Sequence, residues 1–219
     1  MSESTVYGIV SLDADADGES DQSTVQWFDG DGTLLGSNVT LSGAFVGGDV
    51  VYCVVTPNDG TDAGTPVISG TIAIENSPPT LADVSLTPTD VQVGQTMVCT
   101  PGATTDPDGT TSFTYSYRWT VNGAAADSTS NTLSTTSLSK GQLVKCFATP
   151  NDGIASGAEV GSNTVTIQNT PPSVTSLTIA PSDAQTDDTI TSSVTTNDID
   201  GDAAFLYYEW LVDGVVALE

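Results

Sequence analysis

The chain repeats itself. TPNDG stands at Thr56 to Gly60 and again at Thr149 to Gly153, a shift of 93 residues (149 − 56), and the linker strings NSPPT (Asn76 to Thr80) and NTPPS (Asn169 to Ser173) share that shift. Trp27, Trp119 and Trp210 follow at steps of 92 (119 − 27) and 91 (210 − 119). Each tryptophan lies downstream of an acidic, glycine-containing loop: DADADG at Asp13 to Gly18, DPDG at Asp106 to Gly109, DIDGD at Asp198 to Asp202. Periodicity on this scale has to be settled before any local pattern, because each copy must be one folding unit or part of one. A unit of roughly 92 residues is the size of one small two-sheet domain. The register divides the chain into copies at 1–77, 78–170 and 171–219. On it the first copy lacks its opening strand and the third stops after three, so the terminal units are expected to be incomplete. About 48 residues bury too little to form a core alone, so the third copy is expected to be partly exposed or strand-exchanged with another chain.

In the complete middle copy, turn residues punctuate short runs of strand formers. Strand A is expected near Ala82 to Thr87, B near Gln95 to Thr100, C near Ser112 to Val121, E near Thr132 to Thr136, F near Gln142 to Thr149 and G near Gly161 to Gln168. Phe113, Tyr115, Tyr117, Trp119 and Val121 alternate with smaller or polar residues, so they share one face of a strand, and that face should meet a core. Asn122-Gly123 reads as a hairpin turn, matched by Asp29-Gly30 and Asp213-Gly214. No segment sustains a helical period, so the fold class is all-β.

With 28 Asp and Glu against 3 Lys and Arg and no His, the formal charge is −25. Nucleic acid and anionic membrane surfaces would repel such a chain. Self-repulsion also strains a compact fold, so salt or bound divalent cations are expected to accompany it. Lack of His removes Ser-His-Asp and Cys-His catalysis and His-containing zinc sites. Paired carboxylates can hydrolyse glycosides, but these recur in every copy where a catalytic pair would be singular. The expectation is a non-enzyme. No window is apolar enough for a membrane helix. The opening residues lack the basic and apolar regions of an export signal, so the chain is read as a piece of a longer exported protein.

Cys99 on strand B, Trp119 on C and Cys146 on F are arranged as in the immunoglobulin-like superfamily, which the middle copy resembles. DPDGTTSFTYSYRW (Asp106 to Trp119) and DIDGDAAFLYYEW (Asp198 to Trp210), an acidic loop leading into an aromatic strand, also resemble the PKD and cadherin-like repeats of secreted bacterial proteins. The resemblance implies tandem Greek-key β-sandwiches at a cell surface and a Cys99–Cys146 disulfide, hence an oxidising compartment. Two buried thiols against Trp119 are the alternative. Cys53 aligns with Cys146, but its strand-B counterpart is Gly8, so Cys53 is expected to be buried and unpaired. Val144, two residues before Cys146, replaces the corner tyrosine of antibody-type domains.

The acidic loops are the candidate binding chemistry. Asp13, Asp15, Asp17 and Asp21 have the spacing that opens a calcium loop, where alternate carboxylates face a hard cation and Gly allows the turn. Thr24 stands where an EF-hand has its closing Glu. In a sandwich the B–C loop shares an end with the F–G loop, here Asn58-Asp59 and Asn151-Asp152, and with the linker at Asn76 or Asn169. Asp106, Asp108, Asn151 and Asp152, with Glu75 or Asn76, are the expected calcium ligands of the middle copy, and Asp198, Asp200 and Asp202 those of the third. The alternative is that these residues only make turns on a solvated acidic surface.

The expected role is an extracellular structural or adhesive spacer, its partners the neighbouring repeats and a glycan or surface ligand, its linkers stiffened by calcium. A carbohydrate-binding module, using Tyr207, Tyr208 and Trp210, is the second expectation, and a filament subunit self-associating by strand exchange is the third.

Overall fold

The computed structural model describes the strand Thr5–Tyr7 and residues 21–218. Every regular element among them is a β-strand, so the fold is all-β. By backbone contacts the chain forms two compact units, Met1–Ala82 with Ala103–Tyr115 and Thr149–Glu159, and Asp83–Gly102 with Ser116–Ala148 and Val160–Glu219.

The first unit is built on a sheet in the order Leu34–Gly36, Thr24–Asp29, Val50–Thr56, Val67–Ile68, with Ile72–Ala73 also on Val50–Thr56. A second pairing joins Thr5–Tyr7 to Thr40–Ser42. Trp27, Leu41, Val51 and Cys53 are buried together against Val25, Leu35, Phe45 and Ile74. The Trp27 indole donates to the carbonyl of Asn38 at 2.9 Å, which satisfies the one polar atom this ring takes out of water.

The second unit holds most of the sandwich, residues 114–115 and 149–151 of its strands being counted with the first. One sheet runs Val91–Gln92, Val165–Gln168, Leu143–Asn151, Thr114–Val121, Ala124–Ala126, and the other runs Thr132–Ser134, Thr96–Pro101, Val84–Thr87. Cys99 and Cys146 form a disulfide that ties these two sheets together. Trp119, Met97, Leu86, Val144, Ala148 and Ile167 are buried core residues, as are both cysteines. The fold is immunoglobulin-like, with alternation setting which residues face inward: Val144, Cys146 and Ala148 are buried while their strand neighbours are less so.

Trp119 donates to the carbonyl of Ser130 at 2.8 Å, across the same eleven residues that separate Trp27 from Asn38. Cys53 N–H donates to Ser69 Oγ, and Cys146 N–H to Ser162 Oγ. Cys53 is therefore the positional equivalent of Cys146, and it is free and buried. Its expected strand-B counterpart, Gly8, lies outside the described residues.

Asn122-Gly123 and Asp213-Gly214 make two-residue hairpin turns with both residues at positive φ, as a type I′ turn requires. Asp29-Gly30 does not match them. Trp27 pairs with Gly36 where Trp119 pairs with Ala126, which puts two more residues in between (36 − 27 against 126 − 119). One is a β-bulge between Trp27 and Phe28. Since Phe28 pairs with Leu34 where Thr120 pairs with Ala125, the other lengthens the loop. Asp29 Oδ1 organises it by accepting from the N–H groups of Asp31 and Thr33, and Gly32 takes the positive φ.

In the third copy Ser173–Ala180 pairs with Thr191–Asn197, and Trp210–Val212 with Val215–Leu218. Leu177 and Ile179, at 63% and 65% exposure, correspond to Val84 and Leu86, which are 7% and 1% exposed. The same sequence pattern is covered in the middle copy and uncovered here.

Candidate metal centre

The loop Asp106-Pro107-Asp108-Gly109 folds on its own side chains. Asp106 Oδ1 accepts the Asp108 N–H at 2.7 Å, the Asp106 carbonyl accepts the Gly109 N–H at 3.2 Å, and Gly109 adopts φ of 83°. That turn aims Asp108 at the linker: Oδ2 accepts the Ser77 N–H at 2.6 Å and Oδ1 accepts the Gly47 N–H at 2.7 Å. Asn76, next to Ser77, donates from Nδ2 to Asp152 Oδ2 at 2.9 Å.

The third copy repeats this arrangement with different neighbours. Asp198 Oδ1 accepts from the N–H groups of Asp200 (2.8 Å) and Asp202 (3.2 Å), and Asp200 Oδ2 accepts the Thr170 N–H at 2.5 Å. Asn169 Nδ2 donates to the Thr170 carbonyl at 3.2 Å, as Asn76 does to Ser77. Carboxylate oxygens of Asp198, Asp200 and Asp202 converge within 4.8 Å of one another. Oxygens bound to one Ca²⁺ at about 2.3–2.6 Å can be that far apart.

Oxygens in both loops are buried without a donor: Asp106 Oδ2, Asp198 Oδ2 and Asp200 Oδ1. A carboxylate oxygen removed from water with nothing to accept from is costly. An all-oxygen donor set of carboxylates and amide carbonyls suits a hard cation such as Ca²⁺. The residues present therefore fit the ion that the spacing suggested.

The other expected ligands are placed differently. Asn151 Oδ1 accepts the Gly153 N–H and its Nδ2 donates to Ser156 Oγ, so the side chain braces its own turn. Asn58 Oδ1 likewise accepts the Gly60 N–H. Asp59 accepts from Thr61 and Asp62, and Asp152 from Ile154 and Ala155. The Asp62 and Thr61 N–H groups hold the Asp59 carboxyl below the usual range, while the Ala155 N–H, then Asn76, does so for Asp152. The Ser23 hydroxyl, then the Ser23 N–H, lower the pKa of Asp21. Glu75 is exposed. Asp13, Asp15 and Asp17 lie outside the described residues.

Two participants carried no motif. Gly47 supplies a backbone N–H, which no sequence letter announces. Lys140 donates to Asp202 Oδ2 and, at 3.1 Å, to Asn169 Oδ1. The Asp202 hydrogen bond, then the charges of Asp202, Asp200 and Asp198, raise its pKa.

No family model matches the chain, and no curated protein does. Among solved structures it is similar to the FN1–FN3 domains of chicken CNTN1, at 12% identity and a TM-score of 0.35 over 79% of this chain and 64% of that one. An amphioxus IgVJ-C2 molecule is similar at 15% identity and a TM-score of 0.39, over 76% of this chain and 96% of that one. A Bacteroides ovatus glucan-utilization protein, SGBP-B, solved with a mixed-linkage heptasaccharide, is similar at 13% identity and a TM-score of 0.22, over 98% of this chain and 61% of that one.

Proposed function

We propose that the chain is a run of non-catalytic, extracellular spacer repeats from a larger secreted or surface protein of the adhesin type, with copies at 1–77, 78–170 and 171–219 and calcium setting the linkers between them. The observation that carries this reading is the repeated closure of an acidic loop on its linker, with carboxylate oxygens left buried and without donors. Asp106 and Asp108, with Asp152 and Asn76 beside them, would hold one ion. Asp198, Asp200 and Asp202 are the corresponding carboxylates at the second linker, where Lys140 already donates to Asp202, and Asp13, Asp15, Asp17 and Asp21 supply the corresponding spacing in the first copy. A bound cation would neutralise the loop and hold the linker N–H on its acceptor, so that neighbouring repeats keep a fixed angle. The disulfide supports an oxidising, extracellular setting, and a charge of −25 supports a need for cations.

Thermal unfolding in millimolar calcium against chelator tests the proposal. The midpoint should rise with calcium, and an unmoved midpoint would remove calcium from the account.

A second reading, glycan binding, is favoured by Phe205 and Tyr207, which are exposed at 87% and 98%. Aromatic faces of this kind can stack on sugar rings. A glycan array decides between them, since a spacer gives no specific hits. Self-association rests on the uncovered Leu177 and Ile179 face, and light scattering reads it.

A further inference from the structure

The two linkers differ at a position that the repeat makes equivalent. Gly47 and Lys140 each precede a glycine in the turn before a long strand, a shift of 93 residues (140 − 47). The turns themselves match. Val46 N–H donates to Asp49 Oδ2 and Ser139 N–H to Gln142 Oε1, both at 2.9 Å, while Gly48 and Gly141 have φ of 92° and 81°. Around Gly47 there is no space for a side chain: a Cβ would lie 2.6 Å from Asp108 Oδ2 and 2.8 Å from the Asn76 Cα. Lys140 instead extends its side chain to both the loop and the linker, meeting Asp202 and Asn169.

Positive charge is scarce here, with three Lys and Arg in all. Arg118 and Lys145 both lie over the Phe147 ring, at 3.8 and 5.2 Å. The remaining one, Lys140, is placed where three carboxylates converge.

We infer that Lys140 is the resident counter-cation of the Asp198–Asp200–Asp202 loop, holding that loop on the Asn169–Thr170 linker without a metal ion, whereas the Asp106–Asp108 loop, with Gly47 in that place, depends on a free cation. The second half of this inference rests on the calcium reading; the role of Lys140 does not. An ammonium offers three donors and a compact charge, and being tethered it is present at high effective concentration and beyond the reach of chelators. It stays protonated beside three carboxylates, so its approach to the Asn169 amide is that of a hydrogen-bond donor and not of a nucleophile.

Hydrogen exchange followed by NMR on the full chain tests this at two amides, Thr170 and Ser77. In chelator, Lys140→Met should speed Thr170 exchange several-fold, Lys140→Arg should not, and Ser77 should be indifferent to both. Equal Thr170 exchange in wild type and Lys140→Met overturns the inference. Should Lys140→Met also loosen the core amide of Val144, the wild type in ~1 M NaCl, where screening acts over about 3 Å, replaces it. Thr170 exchange must then rise, and an unchanged rate overturns the inference. Calcium separates the two ideas: it should slow Ser77 in every variant and Thr170 only in Lys140→Met. A Ser77 amide blind to calcium removes the calcium reading and leaves the Lys140 result intact.

Discussion

The Asp108 carboxylate accepts the backbone N–H of Ser77 at 2.6 Å, joining the acidic loop to the linker across 31 residues of sequence. Its other oxygen accepts the Gly47 N–H, so one side chain organises three segments. Asp108→Ala removes both acceptors and should cost about 1–3 kcal/mol, read from denaturant unfolding. Asp108→Asn, which keeps one carbonyl oxygen, should cost less. Equal stability of wild type and Asp108→Ala would mean that water replaces the carboxylate without loss.

Gly47→Ala tests the same joint from the other side. The new methyl would meet the Asp108 carboxylate and the linker backbone at 2.6 and 2.8 Å, and the backbone cannot swing away as a flexible side chain can. Faster Ser77 exchange and a lower unfolding midpoint are expected. Gly43→Ala is a poor control because Gly43 has positive φ, whereas Gly70→Ala, in open space, should be near neutral.

The disulfide closes a loop of 47 residues, which in the chain-entropy model contributes about 4 kcal/mol. Cys99→Ala/Cys146→Ala should lose most of that, with Trp119 fluorescence as the probe because its ring is buried in the same core. Thiol titration of the denatured, unreduced chain should find one thiol, Cys53. Three would show that the bond does not form.

Asp152 makes a pH prediction. Its carboxyl is held below the ordinary value by the Ala155 N–H, then by Asn76 and the Ile154 N–H. A depressed folded pKa contributes stability above the unfolded value of about 3.9, and that stability is lost as pH falls through the folded pKa. Asp152→Asn should therefore be less stable than wild type at neutral pH, with the gap closing below about pH 4. A gap that persists unchanged at acid pH would show that the carboxylate charge is irrelevant.

Much of the fold could be read from letters because side-chain periodicity is what a strand displays. Trp119 sits in the core that alternation assigned to it, Cys146 is buried as the resemblance implied, and Asn122-Gly123 turns as its chemistry requires. Asp29-Gly30 misled because turn type depends on loop length, and the first loop is one residue longer, with a β-bulge between Trp27 and Phe28 besides. The acidic loops were visible as motifs, yet their partners were not. Ser77, Thr170 and Gly47 act through backbone N–H groups that every non-proline residue carries. Asn58 and Asn151 read as ligands from their position, while each amide oxygen also accepts an N–H of its own turn, a local bond that the ligand reading did not include. Lys140 acts across 62 residues, a distance over which no local pattern speaks.

Calcium binding to these loops is the claim on which the proposed role turns, and calorimetric titration of the chelator-treated chain measures it directly. A saturable calcium heat that weakens in Asp106→Asn is the predicted result. No heat from wild type up to millimolar calcium would contradict the account.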